Sequence, residues 1–294
     1  MIITNVEELR DPFILFDSGV YYLYGTGVVG NDWDNTTWTC YVNDSGSLYG
    51  EWKKTEGLIY EKPKYAEKQL WAPEVHKYNG KYYMLASYYS SKTKHRGSSV
   101  LSSTSPTGPF LEISDGHITP CDKDCIDATF YLDKKGQPWL VFTREWTCTD
   151  DGIGRFDAAK VSDDLTHLTS EPIELFRADS PLWTDKQITD GCFMHTLSNG
   201  HLIMTWSNLE KDGYAIGIAH SESDNIVGPW VQEETAFFKK DLLDQHDGGH
   251  GMIFADQDGK QYICCHSPNM PCDECKERTI LIPINEKDNT ICIG

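Results

Sequence analysis

DPFILFDSGVYYLYGT, residues 11–26, sets one polar residue before an apolar run, a Ser-Gly turn and a second aromatic run. Two short strands rich in aromatic and β-branched residues around a Gly turn read as a β-hairpin. The pattern returns four times: PEVHKYNGKYYMLAS (73–87), DATFYLDKKGQPWLVF (127–142), DGCFMHTLSNGHLIMTW (190–206) and HGMIFADQDGKQYICC (250–265). The polar residues that lead these hairpins are Asp11, Glu74, Asp127, Asp190 and His250. They lie 63, 53, 63 and 60 positions apart. Self-similarity on that scale in strand-forming sequence is the mark of propeller blades with long loops.

Each hairpin runs on into a further pair of strand-like stretches, such as TTWTCYVNDSGSLYGEW (36–52), SSVLSSTSPTGPF (98–110) and YAIGIAHSESDNIVGPW (214–230). The third and fifth repeats continue as RFDAAKVSDDLTHL (155–168) and RTILIPINEKDNTICI (278–293). The expectation is an all-β chain, a five-bladed β-propeller with four-stranded antiparallel blades, forming one domain over residues 1–294. An aromatic content of 12% suits a core of short Tyr, Trp and Phe strands, and no stretch of ten residues has helical period and caps. In such a ring the first strands line the axis. Carboxylates at one rim of those strands approach one another, and like charges push their pKa values apart, as acid–base chemistry needs.

The net charge of −19 argues against nucleic acid and anionic membranes as partners. No apolar run approaches 18 residues. The start, MIITNVEELR, lacks the features of a signal peptide, so the sequence as it stands reads as cytoplasmic, and as secreted if a leader has been removed. Ten cysteines, among them Cys121-x3-Cys125 and Cys272-x2-Cys275, leave two readings open: reduced thiols, or a loop disulfide or metal clip. Gly25-Thr-Gly27-Val-Val-Gly30 matches a dinucleotide fingerprint, but NDWDNTTW follows where a helix would have to begin. Asp133, Asp256 and Asp258 precede the Gly of their turns and read as turn residues. Asp11, Asp127 and Asp190 lead apolar strands and read as functional.

Arg10-Asp11-Pro12, Trp71-Ala72-Pro73-Glu74, Asp127-Ala128 and Gly249-His250-Gly251 resemble, in order and spacing, the blades of glycoside hydrolase family 43. The resemblance covers nearly the whole chain. It implies a five-bladed propeller hydrolysing arabinose- or xylose-containing oligo- or polysaccharides with inversion. Asp11 is then the base that activates water and Asp127 the carboxylate that tunes the acid. His250 lies in the channel, where a calcium or other ion is held through water in such enzymes; the chemistry itself requires no cofactor. Where the family carries Glu as general acid this chain has Asp190-Gly191-Cys192, one methylene shorter, and shifts near 1 Å cost on the order of 100-fold in rate. Glu145, at the end of the returning strand of the third repeat, is the alternative acid. Its structural reading is an ion pair.

Glu74 is expected to shape the site, and Trp33, Trp71, Trp146 and Trp183 lie in or beside rim loops where an indole stacks on a sugar. His266 faces the same rim, either binding hydroxyls or holding a loop. Tyr21, Tyr22, Tyr82 and Tyr83 are expected to be packing. The resulting expectation is an enzyme releasing terminal α-L-arabinofuranosyl or β-xylosyl units. Its rivals are endo-action on arabinan, a fructan- or agaro-oligosaccharide-type propeller hydrolase, and a sugar-binding propeller that has lost catalysis.

Overall fold

A computed structural model describes residues 1–29, 32–244, 246–270 and 275–294. The chain opens with β1 (Ile2–Glu7). It then forms four consecutive antiparallel units: β2 (Leu9–Asp17), β3 (Val20–Val29), β4 (Asp32–Asn43) and β5 (Lys53–Lys54); β6 (Ala66–Tyr78), β7 (Lys81–Ser90), β8 (Arg96–Ser103) and β9 (Leu111–Glu112); β10 (Cys125–Leu132), β11 (Pro138–Arg144), β12 (Arg155–Lys160) and β13 (Ile173–Arg177); and β14 (Asp190–Thr196), β15 (Leu202–Glu210), β16 (Gly213–Ser221) and β17 (Trp230–Gln232). The fifth unit holds β18 (Gly249–Ala255), β19 (Gln261–Ser267) and β20 (Arg278–Lys287). Contacts between first strands run in ring order, from β2 through β6, β10 and β14 to β18 and back to β2. The fold is a β-propeller.

The last blade departs from the expectation that its outer pair comes wholly from residues 278–293. β1 pairs with one end of β20 (Ile2 opposite Leu281), while β21 (Thr290–Ile293) pairs only with its far end (Ile284 opposite Ile293). The N-terminal strand thereby closes the ring, covering a sheet edge that would otherwise be unpaired. Local sequence carries no sign of this pairing, because its partner lies some 275 residues away.

Both faces of the inner strands are buried, which is why they read as nearly continuous apolar runs. Along β7, Tyr82, Met84 and Ala86 pack toward the first blade, while Tyr83 and Leu85 pack toward the third. Along β15, Leu202, Met204 and Trp206 face the third blade and Ile203 faces the fifth. Side chains that alternate across a strand thus fill two separate inter-blade cores. Tyr21, Tyr82 and Tyr83 are buried as expected. Trp183 corrects the sequence reading: it is buried, lies against Gly217 and packs 5.1 Å from the Trp206 ring, so it is core and no platform for a sugar.

Among the described residues the only helical turns are two three-residue 3-10 segments, and no helix is long and apolar enough to cross a membrane. A strand follows Val29 where a nucleotide site needs a helix; Gly30 lies outside the described residues. Asp133 and Asp256 accept backbone N–H groups within their own turns. The nine cysteines among the described residues are free thiols, and Cys272 of the CxxC lies outside them.

Candidate active site

Every first strand carries a β-bulge at the same place. Pairing with the second strand skips from Arg10 to Phe13, Trp71 to Glu74, Ile126 to Thr129, Asp190 to Phe193 and Gly249 to Met252. The first extra residue of each bulge is left-handed: Asp11, Ala72, Asp127, Gly191 and His250, with φ between 43° and 53°. Four of the five are not glycine, a backbone state that persists only where the surroundings enforce it and that gathers at functional sites. Bulges re-aim side chains. Here they turn Asp11, Asp127 and His250 toward one another.

The bulges also correct the alignment of the leading residues. Asp11, Asp127 and His250 are equivalent, but Glu74 lies two residues beyond the equivalent Ala72, and Asp190 one residue before the equivalent Gly191. Asp190 therefore occupies the position of Arg10, Trp71 and Ile126, and these four side chains line a single pocket. The pocket has a volume of about 270 Å³ and also presents Asp11, Asp127, Glu145, Tyr214 and His250. Glu74 is buried in a narrow cleft beneath, next to Phe13 and Gly191, where it bonds the His76 ring at 3.0 Å. It supports the axis and does not line the pocket.

Latches between neighbouring blades hold the bulges in place. Ala72 N–H donates to Thr26 Oγ1 (2.8 Å), Asp127 N–H to Ser87 Oγ (3.0 Å), His250 N–H to Ser207 Oγ (2.8 Å) and Asp11 N–H to His266 Nδ1 (3.3 Å). At the joint between the third and fourth blades the acceptor is instead a pocket carboxylate, with Gly191 N–H donating to Asp127 Oδ2 at 3.2 Å. Thr143 holds the matching position in β11, and its buried hydroxyl has no partner among the described residues. Glycine at 191 also leaves room for His250, whose Cα and ring carbons lie within 2.9 Å of where a Cβ would stand.

Thr26 serves twice, because its hydroxyl also donates to Asp11 Oδ2 at 2.7 Å. Thr26→Val keeps the shape but orphans the buried Ala72 N–H. The expected result is a stability loss of about 1–3 kcal/mol, read by urea denaturation, together with reduced activity.

Electrostatics separate the carboxyls. Burial alone disfavours the charged form of Asp11, but His250, with Nδ1 at 3.2 Å from Oδ1, together with Arg10, holds Asp11 well below the usual carboxylate range. Burial likewise disfavours the His250 cation, yet Asp11, Asp127 and Asp190 around it raise its pKa to about 9. Burial raises Asp127 to about 6 against the pull of His250. Asp190 rises to about 7, through burial and then the neighbouring Asp127 charge. One carboxylate is thus ionised beside an imidazolium, and another holds a proton near neutrality.

Glu145 lines the same pocket and burial pushes it up to about 7. Its closest partner differs in kind: Arg96 Nε donates to Glu145 Oε2 at 2.6 Å, and a guanidinium favours the ionised form. Arg96 lies in turn 5.9 Å from the Trp71 ring centre. The pair reads as a braced wall. Trp71 lines the pocket, and its indole N–H donates to Trp33 O at 3.1 Å. Trp33 lines it too, with the Arg10 guanidinium 4.5 Å from its ring centre. Trp146 is exposed but does not line the pocket. His266 is wholly buried behind Asp11, so it cannot meet sugar hydroxyls; it holds the Asp11 main chain instead.

His250 Nδ1 faces Asp11 Oδ1 at 3.2 Å, and among the described residues no three His, Cys, Asp or Glu side chains converge as direct ligands of one metal ion. The sequence reading passed over Arg10, Arg96, Tyr214 and Asn269. Arg10 adjoins a candidate and Tyr214 opens the strand-like stretch 214–230, but none of the four holds the repeated position that leads a hairpin. Arg10 is fixed by Glu277 Oε1 (2.5 Å) and by the side-chain and main-chain oxygens of Asn269 (2.6 and 2.5 Å).

The family model described as Glycosyl hydrolases family 43 matches residues 6–291. A solved endo-arabinase from Bacteroides thetaiotaomicron VPI-5482 is 35% identical with a TM-score of 0.81, over 98% of this chain and 99% of that one. A thermostable family-43 glycoside hydrolase of known structure is similar in fold, with a TM-score of 0.85 at 21% identity over 99% and 94% of the two chains. The extracellular endo-alpha-(1->5)-L-arabinanase 1 of Bacillus subtilis (strain 168) is 27% identical over 158 residues, 48% of this chain and 45% of that enzyme. That match spans less than half of either protein.

Proposed function

The chain belongs to glycosyl hydrolases family 43, and from that premise we propose that it hydrolyses α-1,5-linked arabinan with inversion at the anomeric carbon. The observation that supports the reaction is that one pocket holds both Asp11, 3.2 Å from the His250 ring that favours its ionised form, and Asp190, buried beside Asp127, which favours its protonated form. In the proposed step, water attacks the anomeric carbon as Asp11 takes its proton. Asp190 gives its proton to the departing glycosidic oxygen, so the bond breaks without an alkoxide being released. Asp127 keeps Asp190 protonated through its nearby charge, and the His250 imidazolium keeps Asp11 ionised.

The substrate is drawn from the likeness to the two arabinan-cleaving enzymes, which favours internal cleavage. Release of terminal α-L-arabinofuranosyl or β-xylosyl units is the second reading. It is favoured by the modest pocket volume, below the usual range for drug-sized ligands. Digestion of linear arabinan separates the two: oligosaccharides appear first under internal cleavage, and free arabinose under terminal release. Proton NMR of the first-formed anomer tests the mechanism, and initial retention of configuration overturns it.

Asp190 must be protonated to act. The expected kcat/KM therefore falls as pH rises through about 7, where Asp190 loses its proton. On the acid side Asp11 stays ionised far below its ordinary range, so the base does not set the first loss of activity.

A further inference from the structure

Tyr214 in β16 stands beside Asp190 with no assigned part in the reaction. Its hydroxyl donates to Asp190 Oδ2 at 3.2 Å, and its ring is buried and stacks on His266, with centres 5.7 Å apart and planes 23° from parallel. His266 accepts the Asp11 N–H on the other side. A chain of contacts thus runs from Asp190 through Tyr214 and His266 to Asp11. The slot for the ring exists because residue 249 is glycine: a Cβ there would stand 2.3 Å from Tyr214 Cε1. Asp247 fastens both ends, since Tyr214 N–H donates to its Oδ2 (2.9 Å) and Asn269 N–H to its Oδ1 (3.2 Å), while Asn269 in turn holds Arg10.

We propose that Tyr214 is the positioning residue of the proton donor, and that its stack on His266 sets the separation between donor and base. The inference rests on the reading of Asp190 as the donor. Inverting hydrolysis needs room for a water between one carboxyl and the sugar while the other reaches the leaving oxygen, so this separation is a mechanistic quantity. A phenol bound at Oδ2 leaves Oδ1 as the oxygen that carries the transferable proton. It also restricts rotation of a carboxyl that is shorter than glutamate and cannot afford misalignment.

The groups facing Asp190 are Asp127, Asp11 and Glu145, which raise its pKa or share its pocket, and His250 and Tyr214, which lower it. Removing the Tyr214 donor therefore raises it, and the basic limb of kcat/KM moves to higher pH.

The test is Tyr214→Phe, which removes one oxygen and keeps the ring, measured beside Asp190→Asn and the double variant. Substrates are aryl arabinofuranosides of good and poor leaving-group ability, and melting temperature is recorded for each variant. The expected result for Tyr214→Phe is a fall of about tenfold on the poor leaving group, the scale of one lost hydrogen bond with some misalignment. A smaller fall on the good leaving group, a raised basic limb, and no further effect in the Asp190→Asn background complete the expectation. His266→Asn, which removes the stacked ring, is expected to move the leaving-group ratio and the basic limb in the same sense, on top of a loss common to both substrates through the Asp11 main chain it holds.

A purely structural role would lower the melting temperature and all rates alike, without changing the leaving-group ratio or the limb, and that outcome overturns the proposal. If Asp190→Asn shows leaving-group selectivity and Tyr214→Phe does not, the proposal alone falls. If Asp190→Asn shows none, the donor reading and the proposal fall together.

Discussion

Asp11→Asn is expected to lower kcat by on the order of 10²–10⁴-fold, equally on activated and natural substrates. The loss is independent of the leaving group because water must be deprotonated whatever departs. Asparagine preserves the size of the side chain and can still accept from Thr26, so the bulge at residue 11 and its latch to His266 are retained. What vanishes is the charge. Asp11 is also the strongest stabiliser of the His250 cation, so the variant's His250 pKa falls from about 9 toward the ordinary value, measurable by NMR titration. Retention of more than about a tenth of the activity would remove Asp11 from the role of base.

Asp190→Asn produces an effect of similar size on arabinan, on the order of 10²–10⁴-fold, but a selective one. A dinitrophenol leaves without protonation, so on that substrate the expected loss is about tenfold or less. The descending limb near pH 7 disappears with the group that causes it. Glu145→Gln distinguishes the alternative donor. Its partner Arg96 holds it at 2.6 Å in a charge-assisted bond, so the expected consequence is a raised KM and lower stability, with no leaving-group selectivity. If the selectivity instead appears in Glu145→Gln and is absent from Asp190→Asn, the assignments of donor and wall exchange places.

Much of the propeller was legible because its blades repeat a local rule. Both faces of a strand such as β7 are buried, so Tyr82, Tyr83, Met84 and Leu85 form an unbroken apolar run that follows a Gly turn. The same composition recurs in each hairpin, and the order of Asp11, Asp127 and His250 survives as a period. Closure by β1 was not legible, since strand pairing between residue 2 and residue 281 leaves no trace in either segment. Nor was the offset of Glu74 and Asp190. Register is decided by which residues of β7 and β15 pair across the bulge, and composition at the bulge differs in every blade. His266 and Trp183 looked like rim residues because they stand near loops; burial from a neighbouring blade removed both from the pocket.

By itself the sequence determined the strand period, the ring of repeats and the inventory of acids, because these are properties of side chains in a local backbone. Only the tertiary structure distinguishes the surroundings of these acids, on which the proposed roles of base, donor and wall rest. That depends on burial and on the groups set beside each acid, several of them from other blades: His250 beside Asp11, Asp127 beside Asp190 and Arg96 beside Glu145, with Arg10 and Tyr214 from the acids' own blades. A carboxyl's proton affinity is set by neighbours within a few ångströms, and here most of those neighbours lie between 24 and 239 residues away along the chain, as Tyr214 does from Asp190 and His250 from Asp11.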